Sequence, residues 1–258
     1  ASFASSMTKL PTYDIAYDAY TVDVLRPAEQ GPAVGAKIAL YRAAMYLAGA
    51  IAITFAARWS WPVVLVVLAV AHLPFLFVTL RAPEPEEAVV APRTLRAAVW
   101  EPFLGILARH RALEILLFVL FYKLADNLAQ ALLRPFLVDL GYSAFDRGVA
   151  LGTAGAVATS VGALLGGVLT TSLGLGRALW LFGVIQILSN VGYVLVAESA
   201  VNRPLMYGAM GFESFTQGLG TGAFLVLLLR LTEKRFSATQ YALLSSLFGI
   251  PRLLTGPI

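Results

Sequence analysis

A chain of 258 residues that is 59% apolar and only 13% charged is not an ordinary soluble domain, where the averages are roughly 45–50% and about 25%. Its net charge of +4 does not mark a nucleic-acid binder, because the basic residues fall in short clusters between apolar runs, the pattern of membrane topology. The absence of cysteine excludes disulfides and thiolate metal sites, and the two histidines, His72 and His110, have no partner at metal-ligand spacing.

A membrane-crossing helix brings about 20 mostly apolar residues. The opening stretch, Ser2 to Leu25, is the least apolar and is interrupted by Lys9 and Pro11, so it reads as the cytoplasmic half of a helix. Asp14 and Asp18 share one face of it at i,i+4, with Thr21 continuing that face and Tyr13, Tyr17 and Tyr20 beside it. Two carboxylates this close in a membrane are not both ionised without a cation nearby. They form either a coupling site or a pair standing in water at the cytoplasmic end. A span is expected over Ile38–Ala57. Trp59 and Trp61 then stand like an interfacial belt before the uncharged span Pro62–Leu80.

The long segment Arg81–Arg111 carries the acidic, proline-rich run Pro83-Glu84-Pro85-Glu86-Glu87. Within it, Leu95–Leu107 could form a short interfacial helix with Trp100 and Phe103 on its apolar side. The segment is either a hinge between two groups of helices or simply a long loop.

The next span, Leu113–Leu140, holds the clearest polar pattern. At 100° per residue, Lys123, Asp126, Asn127, Gln130 and Arg134 fall within about 100° of one face. Lys123 and Asp126 can partly neutralise each other at i,i+3. A stripe longer than one ion pair points to a water-filled pathway. Gly148–Gly176 is uncharged, with Ala154, Ala158, Gly162 and Gly166 every four residues and Gly155 and Thr159 alongside, a small-residue ridge for close helix packing. In Ala178–Ala197, Gln186, Ser189, Asn190 and Tyr193 share a stripe that is either pathway or interhelical glue. In Pro204–Leu229, Glu213 is the lone charge, with Thr216, Gln217 and Gly220 on its face. An isolated carboxylate in low dielectric suits reversible proton binding. Ser237–Ile258 begins a last, partial span. Both ends look cut, as in an internal piece of a longer protein.

Twelve basic residues are expected on one side: Arg26, Lys37, Arg42, Arg81, Arg93, Arg96, Arg109, Arg111, Arg177, Arg230, Lys234 and Arg235. Three, Arg58, Arg147 and Arg203, are expected on the other. The richer side is cytoplasmic. No catalytic constellation or phosphate loop stands out, so no enzyme, cofactor or metal is expected.

Six strings in register resemble the AmpG-like muropeptide permeases, a branch of the major facilitator superfamily. They are Tyr-Asp-Ile-Ala-Tyr-Asp-Ala-Tyr at 13–20, Tyr-Lys-Leu-Ala-Asp at 122–126, Pro-Phe-Leu-Val-Asp-Leu-Gly at 135–141 and Gln-Ile-Leu-Ser-Asn at 186–190. Glu-Ser-Phe-Thr-Gln-Gly-Leu-Gly-Thr at 213–221 and Arg-Phe-Ser-Ala-Thr-Gln-Tyr-Ala-Leu-Leu-Ser at 235–245 complete the set. The resemblance implies an all-α polytopic membrane protein with major-facilitator-type helical bundles, of which about seven to eight of an expected twelve or more spans are present. Residues 1–80 would be helices four to six of the N-terminal bundle, 81–111 the cytoplasmic linker, and 112–258 helices seven to eleven of the C-terminal bundle. It implies a monomer in the bacterial inner membrane that imports anhydro-muropeptides with protons, feeding cell-wall recycling and, in some bacteria, β-lactamase induction. Its pathway would use Asp14, Asp18, Lys123, Asp126, Gln186, Asn190 and Glu213, flanked by Asn127, Gln130, Arg134 and Gln217 from the polar stripes. Tyr13 departs from a usual Gln, Ser6–Pro11 is more polar than expected, and Arg134 replaces a small or neutral residue, which bears on the anionic groups held. A transporter of another anionic solute, such as an acetyl-CoA-like ester or a sugar, and a membrane receptor or scaffold using Arg81–Arg111 are the alternatives.

Overall fold

The computed structural model describes residues 14–46, 48–49, 52–85, 94 and 96–255. Every regular element among them is helical. The expectations for Lys9, Pro11, Tyr13, Glu86, Glu87, Arg93 and Leu95 lie outside the described residues.

Helix α1 covers residues 14–24. After a break at Leu25 and Arg26, helix α2 runs Pro27–Tyr46, with Pro27 at the first helical position, where its missing N–H costs nothing. The expected boundary at Ile38 is therefore wrong, and so is the placement of Lys37 and Arg42 in a cytoplasmic loop: both lie inside α2. The reason is visible in its composition. The first half, Pro-Ala-Glu-Gln-Gly-Pro-Ala-Val-Gly-Ala, is too weakly apolar to register as a span, and it is held by close approach instead. A Cβ on Gly31 would run into the Gly167 carbonyl oxygen and the Thr171 hydroxyl. One on Gly35 would sit 2.8 Å from Leu164 Cα. Without Lys37 and Arg42 the expectation becomes ten basic residues on one side against three on the other.

Helix α3 spans Ala52–Trp59, α4 Trp61–Ala71 and α5 Leu73–Leu80. The last two form one apolar rod, interrupted at His72 because Pro74 cannot donate to the preceding turn. In the linker, a π-helical turn at Arg96–Trp100 continues into α6, Glu101–Leu107. Trp100, Phe103, Leu104 and Leu107 lie exposed on it, while Pro102 and Ile106 are buried.

Beyond the linker come α7 (Ala112–Phe121) and α8 (Leu124–Asp139), then α9 (Ala144–Arg147), which passes through a π-helical stretch, Gly148–Ala154, into α10 (Gly155–Leu173). Gly174, at φ 83, turns the chain into α11 (Leu175–Ser189), and α12 (Val191–Glu198), α13 (Arg203–Leu231) and α14 (Ser237–Thr255) follow. The expected continuous helix Leu113–Leu140 is broken at Tyr122–Lys123, where Lys123 adopts φ −106, ψ 5. By length and composition, four described helical stretches can cross a membrane: Trp61–Leu80, Ala144–Leu173, Leu175–Glu198 and Arg203–Leu231.

Helix α10 is the hub, packing against both α13 and α2. Its buried face is Gly155, Thr159, Gly162, Ala163, Gly166, Gly167 and Thr170. Ala154 of the expected ridge is exposed. The main apolar core joins Phe182, Ala223, Phe224, Leu228 and Leu244 with Val22 and Val34 from α1 and α2.

The two ends of the bundle are fastened differently. At one end Asp146 accepts hydrogen bonds from Ser143 Oγ (2.6 Å), Arg203 Nε (3.1 Å) and Tyr207 Oη (3.1 Å), joining the α8–α9 turn to the start of α13. At the other, the linker grips the α13–α14 turn. Arg109 bonds the Leu231 carbonyl and the Glu233 carboxylate. Gln240, fully buried, accepts from Glu233 N at 2.9 Å and donates to the Pro102 carbonyl at 3.3 Å. Gln240→Leu strips both bonds, roughly 0.5–1.5 kcal/mol each. The expected outcome is faster tryptic cleavage around Arg96–Arg111 in membrane vesicles, with intact helical content; a cleavage rate equal to the parent's would count against this clamp.

Candidate functional site

Helix α8 starts at the break after Lys123, and this aims the first turn of the polar stripe at α13. The Lys123 ammonium donates to Asp126 Oδ2 at 2.5 Å, and the two side chains are only 5% and 10% exposed. Its Nζ also lies 3.4 Å from the Gln217 carbonyl oxygen. A Cβ on Gly220 would come within 3.2 Å of that Nζ, so a glycine here leaves room for the ammonium. Tyr122 braces the break by stacking on Phe224 and donating to the Leu179 carbonyl at 3.3 Å.

One turn further along α8, Gln130 Nε2 donates to Glu213 Oε2 at 3.5 Å. Glu213 is 1% exposed and sits midway along α13. The Tyr193 hydroxyl approaches the same carboxylate but meets no partner at hydrogen-bonding geometry. Behind Glu213, Thr216 Oγ1 donates to Ser189 Oγ at 3.0 Å, and Ser189 donates to the Gln186 carbonyl at 2.8 Å. Among the described residues, both amide atoms of the Gln186 side chain and Nδ2 of Asn127 are buried without a partner, although buried polar groups are normally satisfied. Lys123, Asp126, Gln130 and Glu213 thus gather between α8 and α13. Such a cluster has one cation between two carboxylates, so in low dielectric a proton or a ligand charge must balance it.

The other expected residues are distributed more widely. Arg134 and Gln130 are exposed, and Arg134 makes no ion pair among the described residues. Gln217 contributes its backbone oxygen to Lys123. Asn190 lies at the bend between α11 and α12.

Asp14 is exposed on α1, whereas Asp18 pairs with Lys37 of α2. Asp18 therefore has a cation at hand in Lys37, a residue absent from the sequence-based candidates. Lys37 Nζ also lies 4.8 Å from the centre of the Tyr17 ring. Thr21 is turned away, its hydroxyl donating to the Tyr17 carbonyl at 2.8 Å. The available signal was a lysine in a Gly/Ala-rich segment that could be read as helix. No motif spacing relates residue 18 to residue 37 across a helical hairpin.

Residues 2–256 match the family described as the Major Facilitator Superfamily. The chain is 40% identical over 247 residues to the "Anhydromuropeptide permease" of Escherichia coli (strain K12), covering 95% of the chain and 50% of that protein. It is 30% identical over 257 residues to an "Uncharacterized protein" of Haemophilus influenzae, covering 95% and 60%. It is 29% identical over 242 residues to "Putative transporter AmpG 4" of Rickettsia felis, covering 91% and 58%. The chain thus spans about half the length of these relatives.

Proposed function

Because the chain belongs to the major facilitator superfamily, we propose that the whole protein is a proton-coupled secondary transporter that imports peptidoglycan-derived anhydro-muropeptides across the bacterial inner membrane. It is an all-α, multi-pass membrane protein. The observation that carries the proposal is the buried Lys123–Asp126 pair near the Glu213 carboxylate of α13, a helix long and apolar enough to cross a membrane, where buried charge is costly and is kept for function. The solute is suggested by the 40% identity to the E. coli permease. In this proposal residues 1–80 belong to one bundle, 81–111 link it to the next, and 112–258 belong to the second. Lys123, Asp126, Asn127, Gln130, Arg134 and Glu213 face the pathway from the second bundle, and Asp14 and Asp18 face it from the first. Gln186, Asn190 and Gln217 lie in the shell behind Glu213. Glu213 carries the proton, and Gln130 steadies whichever form is present.

The test is uptake of labelled anhydro-muropeptide by the full-length protein in vesicles, with and without an inward proton gradient. Gradient-driven accumulation is expected in the parent. Glu213→Gln, which fixes the protonated charge, is expected to abolish accumulation while leaving exchange of pre-loaded solute. Equal uptake without a gradient, or normal accumulation by Glu213→Gln, would refute the coupling scheme. A competing panel of sugars, peptides and CoA esters identifies the solute class: displacement by a CoA ester, but not by a muropeptide, would refute the solute assignment.

A further inference from the structure

We infer that Lys37 is an anion-binding residue of the transport pathway, which holds a carboxylate of the solute from the wall made by α1 and α2. This rests on the transporter reading above and adds to it a specific contact on the opposite wall from Lys123.

Depth is the first argument. If α2 crosses the membrane in the first bundle, as the transporter reading has it, Lys37 lies ten residues along it from Pro27, about 15 Å at 1.5 Å per residue in a bilayer core of about 30 Å. A lysine there faces water, a partner or the bundle interior, not hydrocarbon. Its stripe says which. Gln30, Val34 and Lys37 follow one another at i, i+4 and i+7, and the first two are buried at 6% and 4% exposure. Tyr41, next on the stripe, is 64% exposed. Lys37 thus stands on its stripe between a buried stretch of α2 and an exposed one.

Accessibility is the second argument. Lys123 is more enclosed than Lys37, its side chain 5% exposed with Asp126 and a backbone carbonyl around it. The Lys37 side chain is 30% exposed, the more open of these two lysines. An ammonium has three N–H donors, and the described hydrogen bonds of Lys37 engage Asp18 alone. The Tyr17 ring face supports the cation without using a donor. The amine is therefore held in position by Asp18 and Tyr17 with donors to spare. A purely architectural ion pair would be satisfied by the same two charges in either order.

That difference sets the experiment. Three variants of the full-length protein are made: the charge swap Asp18→Lys/Lys37→Asp, the neutral pair Asp18→Asn/Lys37→Met, and Lys37→Cys in a background free of other cysteines. The probes are an anhydro-muropeptide with free peptide carboxylates and the same molecule with those carboxylates amidated. The parent is expected to prefer the free acid by about tenfold or more in KM, the scale of one charge-assisted contact. Swap and neutral pair are expected to keep the parent's melting temperature within a few degrees and to lose the preference. An unchanged preference in either overturns the inference. Should both paired variants fail to fold, Lys37→Cys decides. It is expected to react with 2-aminoethyl methanethiosulfonate, more slowly in the presence of either probe and without the parent's preference for the free acid. A thiol that does not react, or that neither probe protects, overturns the inference as well. If the parent takes up no muropeptide at all, the proposed solute fails and this contact with it. Uptake with unaltered preference in the variants removes Lys37 alone.

Discussion

Replacing Lys123 with Met in the full-length protein is expected to abolish uptake and to destabilise the protein, whereas Lys123→Met/Asp126→Asn should regain stability without regaining transport. The single change leaves Asp126, 8% exposed, with its cation gone. Breaking a buried pair by removing one partner costs roughly 3–5 kcal/mol, because the surviving charge is uncompensated. Replacing both partners by neutral residues removes that penalty, and such replacements are often close to neutral. Stability and transport should therefore separate in the double variant. A thermal-melt series in detergent with parallel vesicle uptake measures both. Should the double variant transport at the parent's rate, the pair is architecture and the pathway lies elsewhere.

The second partner of Lys123 sharpens this expectation. Its ammonium lies between Asp126 and the α13 backbone at Gln217, with Gly220 leaving the space. Lys123→Arg keeps the charge, but its larger planar head would crowd Gly220 and the carbonyl. It should therefore melt nearer the parent than Lys123→Met does, and still transport poorly.

What could be read in advance, and what could not, follows from which forces hold each part. Helices α4, α5, α10, α11 and α13 are held by apolar surface in a membrane, and hydropathy reports that directly. The ridge of α10 was legible as well, since small residues at four-residue spacing have one obvious use. Helix α2 was not, because its first half owes its place to the Gly31 and Gly35 contacts with α10, and close packing leaves no trace in hydropathy. The break at Lys123 was equally hidden, as neither Gly nor Pro marks it. The Lys123–Asp126 pair could be read because both partners lie on one helix at i,i+3. The Gln130–Glu213 and Asp18–Lys37 pairs could not, since each joins two helices whose relative rotation only the packed structure supplies.

Gly166→Leu is expected to prevent accumulation of folded protein, while Gly31→Leu should accumulate, melt within a few degrees of the parent, and transport poorly. Helices α10 and α13 touch through backbone. A Cβ on Gly166 would lie 2.8 Å from Leu219 Cα, and a Cβ on Gly162 would strike the Phe215 carbonyl oxygen. Small-residue contacts of this kind replace the hydrophobic drive that lipid removes. A leucine must therefore push two long helices apart along their length. Overpacking costs roughly 1–3 kcal/mol even where neighbours can give, and backbone cannot. Gly31 meets α10 just as closely, at the Gly167 carbonyl and Thr171. It does so from the other side of the linker, in the seam where, under the proposed division at 81–111, two separately stable bundles slide past one another. A leucine there should bias the seam open without unmaking either bundle. Membrane-fraction yield, melting temperature and uptake for the two variants decide the matter. If both fail to accumulate, α2 belongs to the core of the second bundle, and the division at the linker is wrong.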